Sequence, residues 1–168
     1  MGYTTDFFGE FKITPTLKDE HRKYLEKFNE TRRMKRNAEL AQALPDEERK
    51  ATGLPIGKFG EFFVGGTGHA GQDQDASIIE YNHTPPTQPG LWCQWVPNAD
   101  GTAIVWDEGE KFYYYVEWLE YIIANFMTPW GYVLNGEVEW HGEEYADLGQ
   151  IVIKDNKLEV KIGKVVFE

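Results

Sequence analysis

Phe11 and Ile13 alternate with Glu10, Lys12 and Thr14 in an opening stretch, residues 3–13, rich in aromatic and β-branched side chains. That period of two predicts a strand. Pro15-Thr16 follows as a helix start, with Thr16 as N-cap and Asp19-Glu20 in the first turn, where carboxylates suit the positive end of the macrodipole. Leu17, Tyr24, Leu25 and Phe28 then form a narrow apolar stripe at helical spacing, which predicts a helix to about Arg36 and a second, short one over residues 37–44, stopped by Pro45. Residues 91–96 and 102–106 flank Asp100-Gly101 and read as a hairpin. Phe112, Tyr115, Val116, Leu119, Ile122, Ile123 and Phe126 recur at i, i+3, i+4 and i+7, predicting a long helix over residues 110–128 that Pro129 ends. The tail alternates once more at Val138 and Trp140, at Ile151 and Ile153, and at Leu158, Val160 and Ile162, with Asp155-Asn156 placed for a tight turn.

Between these periodic stretches, residues 45–90 are broken by Gly53, Pro55, Gly57, Gly60, Gly65-Gly66, Gly68, Gly71 and Pro85-Pro86, with only Glu61-Phe62-Phe63-Val64 reading as a strand. Strands joined by hairpins with helices between them make an α+β fold: an antiparallel sheet of about six to seven strands with two main helices packed on one side. A chain of 168 residues suits one domain, 1–168, with 45–90 as its loop-rich segment. Loops of that length in a small domain are where function is sought.

Charge changes the picture most. The formal net charge is −11. Residues 1–58 carry 12 basic and 10 acidic side chains, whereas residues 59–153 carry one basic side chain, Lys111, against 15 acidic ones. Such a field repels nucleic acid at long range. The chain holds one cysteine, Cys93, so an internal disulfide or a cysteine-based zinc cluster is excluded. No apolar run reaches the roughly 18–20 residues that span a bilayer, and the first residues lack a signal-peptide pattern, so the expectation is a cytoplasmic protein without a membrane partner.

Candidate chemistry concentrates in four places. Arg32-Arg33-Met34-Lys35-Arg36 puts four cations in five residues. On a helix, Arg32, Lys35 and Arg36 would share a face and grip a phosphate or carboxylate; equally, they would compensate the macrodipole or meet the chain's own acids. Val64-Gly65-Gly66-Thr67-Gly68-His69-Ala70-Gly71-Gln72 matches neither a nucleoside-triphosphate loop nor a dinucleotide loop, but its backbone amides could cradle an anion. His69, Asp73 and Asp75 could hold Mg²⁺. Tyr114, Trp118 and Tyr121 form a second aromatic flank on the long helix, suited to the core or to a contact surface. No nucleophile motif surrounds the serines.

Four segments, Met1-Gly2-Tyr3-Thr4-Thr5-Asp6-Phe7, Thr31-Arg32-Arg33-Met34-Lys35-Arg36, Pro89-Gly90-Leu91-Trp92-Cys93-Gln94-Trp95 and Pro129-Trp130-Gly131-Tyr132-Val133-Leu134-Asn135-Gly136-Glu137-Val138-Glu139-Trp140, resemble those of a family of short, uncharacterised bacterial and phage-associated proteins. The resemblance implies no reaction; its phage side suggests a counter-defence factor. The leading expectation is therefore a non-enzymatic, homo-oligomeric protein that captures a small anionic, nucleotide-derived ligand. Arg32, Arg33, Lys35, Arg36, Gly66, Gly68, His69, Gln72, Tyr81, Trp92 and Trp95 are the ligand-binding candidates, with no cofactor and no resident metal. The alternatives are an acidic protein-interaction inhibitor or nucleic-acid-mimicking decoy, and a metal-assisted hydrolase.

Overall fold

The computed structural model describes residues 2–66 and 75–168. Its strands in chain order are β1 (Asp6–Thr14), β2 (Lys35–Arg36), β3 (Ile78–Glu80), β4 (Trp95–Pro97), β5 (Ala103–Trp106), β6 (Val133–His141), β7 (Leu148–Lys154) and β8 (Lys157–Ile162). Its helices are α1 (Asp19–Glu30), α2 (Ala38–Gln42), α3 (Glu47–Thr52), α4 (Tyr115–Ile122) and a last turn, α5 (Thr128–Trp130). The fold is α+β: a six-stranded antiparallel sheet in the order β4-β5-β1-β6-β7-β8, a two-stranded sheet of β2 and β3, and two main helices, α1 and α4. The chain divides into two compact units, Met1–Leu17 with Gln94–Glu168, and Lys18–Cys93.

In the first unit the alternation does what its period demands. Phe7, Phe11 and Ile13 on β1, Leu134, Val138 and Trp140 on β6, and Ile151 and Ile153 on β7 are all buried, and the residues between them face solvent. Phe7 sits at the centre of an aromatic cluster, edge-on to Trp95 at 5.2 Å, Trp106 at 5.3 Å, Phe112 at 5.8 Å and Tyr115 at 4.9 Å. Burial there pushes the Tyr115 hydroxyl up to about 12. Asp155 and Asn156 both take positive φ, 49° and 66°, as a two-residue hairpin turn between β7 and β8 requires.

The long helix differs from its expected span of 110–128. Lys111 and Tyr114 have positive φ, so helical backbone begins only at Tyr115. After Ile122 the coil widens into a π-turn over Ile123–Met127 before α5, which Gly131 closes at φ 86°. Pro129 lies inside that last turn, directly after the π-turn, rather than ending the helix. Trp118 and Tyr121 of the aromatic flank are buried, while Tyr114, outside the helix, is exposed.

In the second unit α1 begins at Asp19, with Lys18 rather than Thr16 at the N-cap position, and stops at Glu30. Thr31 turns extended, with φ −103° and ψ 123°, and its hydroxyl donates to Lys27 O at 2.7 Å. The expected run to Arg36 is therefore corrected: the cations stand on extended chain that becomes β2. Glu61-Phe62-Phe63-Val64 is a turn rather than a strand, folded by Phe62 N–H to Ile56 O and Phe63 N–H to Gly60 O. Likewise, the first hairpin strand shrinks from residues 91–96 to β4.

His21 lies on the buried face of α1, and burial holds its imidazole below the ordinary value of 6.5. The folded state thus favours the neutral ring, and the stability this supplies is complete above about pH 6.5 and lost as pH falls through the lowered value. Unfolding free energy should therefore decline in mildly acidic buffer, and a denaturation series of His21→Gln should lack that step.

Candidate functional site

The basic run does not form one cationic face. Arg33 is 2% exposed; its guanidinium lies 4.3 Å over the Phe28 ring and donates to Thr31 O at 3.2 Å, to Glu61 O at 3.0 Å and to Phe63 O. Arg36, also 2% exposed, pairs with Asp75 at 2.6 Å, donates to the Ser77 hydroxyl at 2.8 Å and lies 4.4 Å over Phe63. Burial lowers the Arg36 guanidinium, while the hydrogen bond and charge of Asp75 oppose that change. At Asp75 burial works toward the neutral acid, but bonds from Ser77 and Arg36 outweigh it and hold the carboxyl below its usual range. Arg32 and Lys35 are half-buried. Arg32 stacks 4.2 Å over Tyr81 and donates to Tyr81 O and to Asn82 Oδ1; Lys35 caps Phe59 at 4.6 Å.

A unit with few backbone ladders explains this use of arginine. Carbonyls buried in turns need donors, and a guanidinium offers five in a fixed fork. Arg49 does the same work, bonding Asp46 at 2.5 Å and Leu54 O at 2.8 Å, while the other Asp46 oxygen accepts from Val64 N–H. Glu61 accepts from Phe59 N–H and the Thr87 hydroxyl, and the Gln88 amide donates to Glu61 O.

The remaining ligand-binding candidates scatter. Gly66 O accepts from Lys27 Nζ at 2.8 Å, Tyr81 is exposed beneath Arg32, and Trp92 is half-buried. Trp95 is buried in the first unit's aromatic cluster, with its indole N–H on Tyr115 O at 2.8 Å. Gly68, His69 and Gln72, and with them Asp73, lie outside the described residues. Among the described residues no three His, Cys, Asp or Glu side chains converge as a metal-holding group, and Asp75 is engaged with Arg36.

Outward, β1 and β6 are mainly acidic, with Lys12 as their exposed lysine. The solvent side of β1 and β6 places Glu10 directly opposite Glu137, Phe8 opposite Glu139, and Asp6 opposite His141. All six side chains are exposed, and Phe8 stays 55% accessible. The Phe8 ring stands edge-on to His141 at 5.4 Å, and Gln150 donates to Glu137 at 2.9 Å. Like charges directly opposite one another on a sheet are destabilising, and Asp6 and Glu139 add their charge on the diagonals. The register is held by close backbone approach: a Cβ at Gly9 or Gly136 would lie 2.4 Å from a carbonyl oxygen of the facing strand. No sequence periodicity marked this patch, because its signal is cross-strand register. A second acidic surface, an open groove of about 590 Å³ along α1 and α3, is lined by six carboxylates with Lys23 and Lys27 among them.

This is an α+β protein with an open, acidic sheet face and an arginine-knit loop unit. Comparison with protein-family models, with curated proteins and with solved structures finds no match.

Proposed function

We propose that this chain is a binding protein that docks, through the open β1/β6 face, onto the basic surface of a protein partner, with Phe8 as the apolar anchor. The observation that carries the reading is the exposed Phe8 ring among Asp6, Glu10, Glu137 and Glu139, in a register that opposes two of those carboxylates. An exposed aromatic ringed by charge is the composition of an interface centre with a polar rim. The inward use of Arg33 and Arg36 also supports it, since those two buried guanidinium groups are not presented to an anion. Capture of a small anion would have to rest on Arg32 and Lys35, without the buried pair.

A labelled peptide rich in Arg and Lys with one aromatic residue serves as the probe. Affinity should fall as salt rises. Reversing Glu10 and Glu137 to Lys together should weaken it by about tenfold, whereas reversing Glu47 and Glu48 on α3 should leave it within about twofold. Glu10→Lys alone should raise stability by about 0.5 kcal/mol, because it turns a like pair into an unlike one. The same single reversal should weaken docking by about threefold, and weaker docking in a stabilised variant separates binding from misfolding. Equal weakening by both double reversals would reduce the attraction to net charge and defeat the proposal.

A further inference from the structure

The two ends of the six-stranded sheet are unlike. At one end β4 has three residues and finishes in Pro97, which has no N–H to offer. At the other end β8 runs six residues, Lys157 to Ile162, with alternating apolar side chains and, among the described residues, no strand on its far side. Its ladder with β7 opposes Ile153 to Leu158, Ile151 to Val160 and Gly149 to Ile162, so these three apolar residues continue the core face of the sheet to its rim. There Val160 is 39% and Ile162 is 74% exposed. Glu159 and Lys161 point to the opposite face.

The backbone groups at this rim have a fixed direction. Gly163 N–H bonds Leu148 O at 2.9 Å, in register with the β7–β8 ladder. Antiparallel pairs alternate between bonded and non-bonded, so residues 157, 159 and 161 turn their N–H and C=O toward β7, and residues 158, 160 and 162 turn theirs outward. The outward groups form an open template.

We infer that β8 pairs antiparallel with β8 of a second copy of this chain, joining two sheets edge to edge about a two-fold axis at Val160. Charge and apolar matching together select occupant and register. A two-fold perpendicular to the sheet keeps like faces together, so residues of equal parity oppose one another. Centring on Glu159 would stack Glu159 on Glu159 and Lys157 on Lys161; centring on Lys161 would stack Lys161 on itself. Centring on Val160 sets Glu159 against Lys161 twice and Leu158 against Ile162 twice, and it lets the outward groups of 158, 160 and 162 bond one another. Centring on Leu158 would also set Lys157 against Glu159, but it would put Val160 against the turn residue Asn156 and leave Ile162 beyond the partner's β8. Lysine on an edge strand ordinarily discourages pairing. Here each Lys161 meets a Glu159, and the paired edge extends the apolar face across both copies.

This inference stands apart from the β1/β6 face. Sedimentation velocity of the intact protein should show dimer growing with concentration. Glu159→Lys or Lys161→Glu alone should weaken dimerisation by about tenfold, and the double exchange of both residues should restore it, because the unlike pairs re-form with their signs swapped. Cys93 is buried and is the chain's one cysteine, so introduced thiols report cleanly. Under mild oxidation Val160→Cys should cross-link to its own copy, as opposed residues in a bonded antiparallel pair lie about 5.5 Å apart at Cα. Ile162→Cys should not, because equivalent residues then stand four positions, about 14 Å, apart. Monomer at every concentration, a double exchange that restores nothing, or cross-linking at 162 instead of 160 would each overturn the inference.

Discussion

Arg33→Ala should lower the unfolding free energy by roughly 3–5 kcal/mol, at about 1–3 kcal/mol for each buried acceptor left unsatisfied plus the lost packing of the guanidinium. The Thr31 and Phe63 carbonyls lose this donor, Glu61 O keeps the Gln88 amide alone, and the Phe28 ring loses the cation stacked on it. Each abandoned acceptor carries its own desolvation cost, and water cannot readily reach a site where the side chain is 2% exposed. Arg33→Lys should recover only part of the loss, because an ammonium group cannot reproduce a planar fork reaching several acceptors. Urea unfolding followed by circular dichroism gives both values. An alanine variant within about 1 kcal/mol of the parent would mean that the guanidinium is not holding the loops.

Trp95→Ala should cost a similar amount, roughly 3–5 kcal/mol, for a different reason. The indole is 2% exposed and packs edge-on against Phe7 at 5.2 Å, Phe11 at 5.8 Å and Phe112 at 5.4 Å. Its deletion leaves a cavity at the centre of the first unit and takes the donor from Tyr115 O. Trp95→Phe should lose much less, since the ring refills most of the volume and only the polar tip is missing. If both variants unfolded at the same denaturant concentration as the parent, the aromatic cluster would not be the core of that unit.

Both residues read as ligand contacts in the sequence and turn out to serve the fold, which shows where pattern and chemistry part. Strand alternation around Phe11, Val138 and Ile151 was legible because burial on one face imposes a period of two wherever the chain is extended. The turn at Asp155-Asn156 was legible because few residues tolerate two successive positive φ values. The cation run was misplaced because a helical stripe ending at Phe28 gives no sign that Thr31 will turn extended, and a two-residue strand such as β2 has no periodicity to read. Composition alone does not separate an arginine aimed at a ligand from one aimed at buried carbonyls. The sign available in the sequence was the neighbourhood: many turns in residues 45–90 mean many carbonyls without ladder partners. The acidic face has no signature in the sequence, because Glu10 and Glu137 are far apart in the chain and meet only through the β1–β6 register.

Backbone amide shift mapping with the Arg- and Lys-rich peptide tests the central claim most directly. The account predicts perturbations clustered on residues 6–10 and 137–141, strongest around Phe8, with Arg32 to Arg36 silent. Shifts gathered instead around Tyr81, Asn82 and the basic run, or saturating with a nucleotide and abolished by Arg32→Ala, would contradict it.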